Sequence, residues 1–193
     1  DREEMPFNRA KRSWVYRAAK DVDATLAFGS TNNISEPGAV LFVSHAFPTL
    51  AEDYVASQPM VIGPYCREPY TSTSLFNISA MSFGAISEPA ITALSRGAAE
   101  AGCWLNTGEG GLSLHHLKGG ADIVFQIGTA KYGVRDLAGN LDDEKLLALA
   151  AHAQVKMFEI KISQGAKPGK GGILPGIKVT EVIAMTRGIP VGE

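Results

Sequence analysis

From Leu75 onward, short apolar runs alternate with amphipathic stretches, a pattern that predicts strands each followed by a helix. LFNISAMS (75–82) reads as the first strand. In the helix after it, Ser87 is placed to cap, Glu88 suits the positive end of the helix dipole, and Pro89 sits in the first turn, which leaves its N–H unused. Ile91, Leu94 and Ala98 make the apolar stripe of that helix, and Gly102 ends it. CWLNT (103–107) is a second strand, followed by a short helical piece at 112–118, and DIVFQIG (122–128) is a third. Asp142 caps the predicted helix DDEKLLALAAHAQVK (142–156), MFEIKIS (157–163) is a fourth strand, and KVTEVIAMTR (178–187) is a last helix stopped by Gly188 and Pro190.

Residues 1–72 carry no such alternation. KRSWVYRAAK (11–20) predicts a short basic helix, VLFVSHAF (40–47) a buried strand or core plug closed by Pro48, and QPMVIGP (58–64) another short apolar piece. The organisation expected is an irregular N-terminal arm, 1–72, that packs on a larger domain, 73–193.

Strand and helix in alternation imply parallel strands covered by helices, in either an open doubly wound sheet or a (β/α)8 barrel. No G-x-G-x-x-G follows the first strand, which disfavours the dinucleotide-binding open sheet. The fourth strand favours the barrel. Phe158, Ile160 and Ile162 fall on one face, while Glu159, Lys161 and Ser163 fall on the other. A parallel strand is normally apolar on both faces, so inward charges must be paired or bind something. The third strand repeats the pattern more mildly, with Gln126 and Val124 opposite Ile123, Phe125 and Ile127. The alternative is an internal Glu159–Lys161 ion pair that serves no ligand.

Composition narrows the classes. The 193 residues hold 18 basic and 20 acidic side chains, a net charge of −2 that argues against an electrostatic nucleic-acid binder. No apolar run reaches membrane-spanning length, and the charged start DREEMPFNRAKR lacks a signal-peptide core. Cys66 and Cys103 have neither metal-ligand nor disulfide-framework spacing, so reduced thiols and a cytoplasmic location are expected. The adjacent His115 and His116 diverge on a helix, so no metal site is expected there, and His45 and His152 read as structural.

Three predicted strands end in glycine-rich loops: AMSFGAIS (80–87), NTGEGG (106–111) and QGAKPGKGGILPG (164–176). Glycines permit close backbone approach, and a barrel places all three loops on its catalytic rim. KPGKGG lacks the order of a P-loop, which argues against nucleotide hydrolysis.

AMSFGAIS, NTGEGG, TAKYGV (129–134) and IKISQGAKPGKGGILPGIKV occur in an order and spacing that resembles the FMN-binding synthase domain of glutamate synthase. The resemblance covers roughly residues 73–193, and the stretch 39–72 is more similar to standalone, single-domain relatives. It implies the N-terminal half of an FMN-dependent (β/α)8 barrel, about four βα units, that reduces 2-iminoglutarate, formed from 2-oxoglutarate and ammonia, to L-glutamate. On this resemblance Ala80, Met81 and Ser82 lie beside the flavin ring, and Asn106, Gln126 and Lys161 contact it from successive strand ends. Gly108, Glu109, Gln164 and Lys167 face the substrate, with Glu109 moving protons and Lys167 polarising the keto or imino group. Each has a plainer reading: Lys167 and Lys170 as solvated loop lysines, Glu109 as a cap, Ser82 and Asn106 as turn residues, and Met81 as core filler.

The departures shape the remaining expectations. No N-terminal cysteine nucleophile or iron–sulfur cysteine triplet is present, so a cluster is expected only where a downstream region supplies its cysteines. Ile173 stands where the large enzymes have Gln, and Lys170 where they have Glu. An electron-donor protein or reductase is implied as a partner, and the four predicted strands require completion to a barrel of eight, by further residues or by another chain. By itself the chain is expected to be inactive. Competing readings are a flavin oxidoreductase acting on another imino or keto acid, and a non-catalytic half-barrel interaction module.

Overall fold

The computed structural model describes residues 7–22, 34–41, 43–56, 58–164 and 173–193. Lys167 and Lys170, with most of QGAKPGKGG, lie outside the described residues. The chain divides into two compact units, 1–54 and 55–193.

In the first unit, the basic stretch forms α1 (Arg9–Ala18), which starts two residues before the predicted span because Asn8 caps it by accepting the Lys11 N–H at 3.0 Å. The expected buried strand at 40–47 is overturned. Its described residues have no regular structure, and Val40, Val43 and Phe47 are exposed. An apolar run becomes a strand only where a ladder partner takes up its backbone groups, and no described strand pairs with this one.

The second unit opens with an antiparallel pair, β1 (Met60–Ile62) and β2 (Tyr70–Ser72), with Val61 opposite Thr71. The Tyr70 hydroxyl donates to Asp122 at 3.0 Å and ties the pair to the main sheet. That sheet is parallel, in the order β3 (Leu105–Asn106), β4 (Ile123–Ile127), β5 (Val155–Ile160). The predicted strand at 75–82 is reduced to a single parallel bridge, Ile78 to Leu105. It nevertheless runs beside β3, with the Met81 N–H donating to the Asn106 carbonyl at 3.1 Å. The result is a mixed α/β unit whose parallel segments neighbour one another in sequence order.

The helices obey their predicted caps. Ser87 caps α2 (Glu88–Ala101) and Gly102 closes it in the left-handed conformation, while Asp142 caps α4 (Asp143–Ala150). A short α3 (Leu114–Leu117) lies between β3 and β4, and α5 (Glu181–Arg187) ends at Gly188. α4 stops six residues before the predicted end at Lys156, and β5 begins two residues before the predicted Met157. The ladder decides this: the Gln154 carbonyl already accepts the Ile123 N–H, and the Gln154 side chain donates to the carbonyls of Leu117 and Ala121.

Leu105, Ile123, Phe125 and Val155 bury one face of the sheet against Ala98, Leu94, Leu146 and Leu149 of the helices. A second cluster joins Phe83 and Ile91 to Val179, Ile183 and Ala184 of the α5 region. Phe158 meets Phe125 edge-on at 6.0 Å, so the predicted apolar face of β5 is oriented as expected. Its residues Phe158, Ile160 and Ile162 are exposed, since β5 is the edge strand of the sheet described.

Candidate active site

The opposite face of the sheet is polar, and its strand ends converge. Glu109 sits in a 3-10 turn, Gly108–Gly110, directly after β3. Lys161 follows β5, with its N–H held by the Ile127 carbonyl of β4 at 2.9 Å. Lys161 Nζ meets Glu109 Oε1 at 2.9 Å. Gln164 Nε2 donates to Glu109 Oε2 at 2.7 Å and to Thr129 Oγ1 at 2.9 Å, while Gln164 Oε1 accepts from Lys161 at 3.3 Å. Lys161 therefore pairs with Glu109 across strands. Glu159, its partner in the alternative reading, accepts instead from Gln126 Nε2.

Two glycines make this convergence possible. Gly108 has φ +65, and a Cβ there would lie 2.4 Å from Ser82 Oγ. A Cβ at Gly128 would lie 2.6 Å from the Cβ of Glu109, so the glycine leaves the space the carboxylate arm occupies.

The electrostatics hold Glu109 charged. Burial alone raises its pKa, but the hydrogen bonds from Gln164 and Lys161 and the charges of Lys161 and Arg187 outweigh burial and leave it below the usual carboxylate value. Arg187, at the end of α5, is 8% exposed, and its Nε has no hydrogen-bond partner among the described residues. Its guanidinium lies 5.0 Å from the Tyr132 ring centroid, and a Cβ at Gly110 would lie 3.6 Å from its Nη2. Burying a cation is costly unless its N–H groups find partners, and this one, with no ion pair among the described residues, sits beneath the glycine-rich turn that carries Glu109.

The predicted site residues are therefore mostly brought together. Glu109, Lys161 and Gln164 touch one another. Asn106 and Gln126 are buried on adjacent strands, with Asn106 Oδ1 accepting the Gly108 N–H at 2.9 Å. Ala80, Met81 and Ser82 run beside them, and Ser82 packs on Gly108. Lys167 lies outside the described residues. Thr129 and Arg187 went unrecognised in sequence: a threonine in a turn and an arginine near a helix end carry no distinguishing signal until the fold places them.

The two adjacent histidines diverge as expected. His116 is buried, and its Nε2 bonds the Met81 carbonyl at 2.8 Å. His115 lies against Phe83 and 3.5 Å from Glu88. Among the described residues no group of three or more His, Cys, Asp or Glu is arranged to hold a metal. No helix among them is long and apolar enough to cross a membrane.

Comparison with known proteins bears on the same residues. The family model for the conserved region in glutamate synthase matches residues 41–193. The chain is 34% identical to the glutamate synthase large subunit-like protein YerD of Bacillus subtilis, across the whole of this chain and 44% of that protein. It is 46% identical to the archaeal glutamate synthase [NADPH] of Archaeoglobus fulgidus over 59% of this chain and 20% of that protein. A glutamate synthase large subunit-like protein of Rhizobium meliloti is 33% identical over 66% of this chain and 26% of its own length. The chain thus spans less than half the length of these relatives. With the matched region covering β1 through α5 and the whole Glu109–Lys161–Gln164 cluster, the chain belongs to the glutamate synthase family.

Proposed function

We propose that this chain carries the flavin-facing and keto-acid-facing half of a glutamate synthase-type oxidoreductase site on the first half of a (β/α)8 barrel. The reaction is reduction of 2-iminoglutarate, from 2-oxoglutarate and ammonia, to L-glutamate, with FMN as cofactor. The observation that carries the reading is the Glu109–Lys161–Gln164 cluster at parallel strand ends, beside the buried Arg187, whose Nε has no hydrogen-bond partner among the described residues.

The residues present fit FMN. A flavin ring edge alternates hydrogen-bond acceptors with one N–H donor. The strand ends offer the Asn106 amide nitrogen and the Gln126 amide oxygen, neither in a hydrogen bond among the described residues, and the Lys161 ammonium. Asn106, Gln126 and Lys161 would hold the ring, with Ala80, Met81 and Ser82 alongside. Reduced FMN, when bound, supplies the hydride that the imine carbon accepts.

The chain's own side chains do the rest. Arg187 receives a substrate carboxylate, which gives its Nε–H an acceptor. Lys161 places fixed positive charge where reduction builds negative charge. Glu109, held ionised, takes a proton as ammonia adds to the keto carbon. Gln164 spans Glu109 and Thr129 and fixes the carboxylate's orientation. Lys167 is assigned to the substrate side with Gly108.

The partners that follow are a keto acid, ammonia, an electron-donor protein or reductase, and the segment or chain that completes the barrel. A second reading, reduction of a different imino or keto acid, is favoured by Ile173, an exposed apolar residue where the large enzymes have Gln. The test is anaerobic reoxidation of the chemically reduced protein. Flavin absorbance that recovers only when 2-oxoglutarate and ammonium are both added supports the first reading, and recovery with another keto acid alone supports the second. A protein with its barrel completed that shows no flavin band overturns both.

A further inference from the structure

Met81 is gripped from two sides: its N–H donates to the Asn106 carbonyl at 3.1 Å, and its carbonyl lies 2.8 Å from His116 Nε2. The other ring nitrogen, Nδ1, lies 3.2 Å from the Ser113 backbone N–H. A backbone N–H can only donate and a carbonyl can only accept, so both contacts demand the same neutral ring, with the proton on Nε2 and Nδ1 bare. Ser113 Oγ lies 2.8 Å from Nδ1 and can donate to it as well. The His116 backbone is held too: Ser95 of α2, fully buried, donates to the His116 carbonyl at 2.6 Å and accepts the Gly119 N–H at 2.9 Å. A four-residue helix is short to stand alone; this one is braced at its cap, ring and carbonyl.

We propose that His116 is a positioning residue: by donating from Nε2 to the Met81 carbonyl it fixes the Ala80–Ser82 segment against the NTGEGG turn, and so tunes cofactor affinity without touching the cofactor. The consequence for affinity rests on the reading of Ala80–Ser82 as flavin-facing, whereas the clamp itself does not. The ring is fully buried, 35 residues along the chain from the carbonyl it holds, and is absorbed by no other step of the proposed chemistry.

Three measurements test it in the intact protein. Nitrogen NMR of the His116 ring is expected to show a protonated Nε2 and a bare Nδ1; the opposite tautomer overturns the clamp. His116→Leu is expected to speed amide hydrogen exchange in the 78–83 segment without added flavin, and to weaken FMN binding, read from flavin fluorescence, by about tenfold. His116→Gln, whose amide can donate at similar reach, is expected to restore both to within about threefold. If leucine and glutamine variants are equally impaired, or leucine changes neither readout, the proposal is wrong. Should the leucine variant lose its far-UV circular dichroism, His116→Asn replaces it as the variant too short to reach Met81. If the wild-type protein binds no FMN, the flavin reading fails, and the ring tautomer with the exchange rates alone decides the clamp.

Discussion

Glu109 and Lys161, 52 residues apart in the chain, meet at 2.9 Å because parallel pairing of β3, β4 and β5 brings their strand ends to one rim. The carboxylate is further held by Gln164, so its charge is balanced by contacts drawn from a different part of the chain.

Replacing Lys161 with Met removes its hydrogen bonds to Glu109 and Gln164 and the positive charge in contact with Glu109, whose pKa is expected to rise. The sign for stability follows from the direction. A carboxylate depressed in the folded state stabilises above its unfolded pKa and loses that contribution as pH falls through the folded value. Urea midpoints measured from neutral pH into the acid range are expected to fall more steeply for wild type than for the Met variant, which starts about 1 kcal/mol lower.

His116 carries the opposite charge logic. Burial lowers its pKa most; the Met81 carbonyl bond opposes this and nearby His115 adds to it. The folded protein therefore keeps the ring neutral while the unfolded chain protonates below about pH 6.5. Stability is expected to drop as pH falls from there to the folded pKa, and His116→Gln is expected to abolish that segment of the denaturation profile.

Arg187→Met separates function from stability. Removing a buried cation whose Nε has no hydrogen-bond partner among the described residues is expected to leave the folded state unchanged or up to about 2 kcal/mol more stable. On the proposed role of Arg187 as carboxylate anchor, the same change in the completed barrel is expected to raise KM for 2-oxoglutarate about tenfold or more. A variant that loses stability and retains its KM would show that Arg187 supports only the loop.

At Gly128, alanine forces its Cβ into the arm of Glu109. A loss of about 1–3 kcal/mol is expected, the usual cost of overpacking, together with a Glu109 titration shifted toward the ordinary range. Thermal denaturation with carboxylate NMR checks both.

Tyr70 reports on the β1–β2 pair. Burial first, then its hydrogen bond to Asp122, pushes its phenol up to about 12. A raised pKa stabilises below the unfolded value near 10 and is lost as pH climbs through the folded one. Ultraviolet titration is expected to show one of the five tyrosines ionising late, and Asp122→Ala to bring it back toward the others.

Much of this was legible in local chemistry. Ser87, Gly102 and Asp142 mark helix ends because capping involves only neighbours within a turn. The alternation in MFEIKIS placed Glu159 and Lys161 on a polar face opposite Phe158, since side-chain direction in a strand has a period of two. Strand limits were less legible. β5 begins at Val155 because Gln154 is already committed to the Ile123 ladder, and 75–82 keeps only the bridge at Ile78. VLFVSHAF reads as a strand in isolation, yet strand structure depends on a partner that the segment itself does not contain.

The sequence by itself determined which polar residues share a strand face and that its strands run parallel, because hydrophobic period is a local property. Only the tertiary structure decided the pairings. Lys161 chose Glu109 over its own neighbour Glu159, and Gln126 took Glu159, because a partner is set by distance in space. The same reason brought Thr129 and Arg187 into the site and turned His116 inward onto Met81: what a polar side chain does depends on which groups the fold leaves within about 3 Å of it.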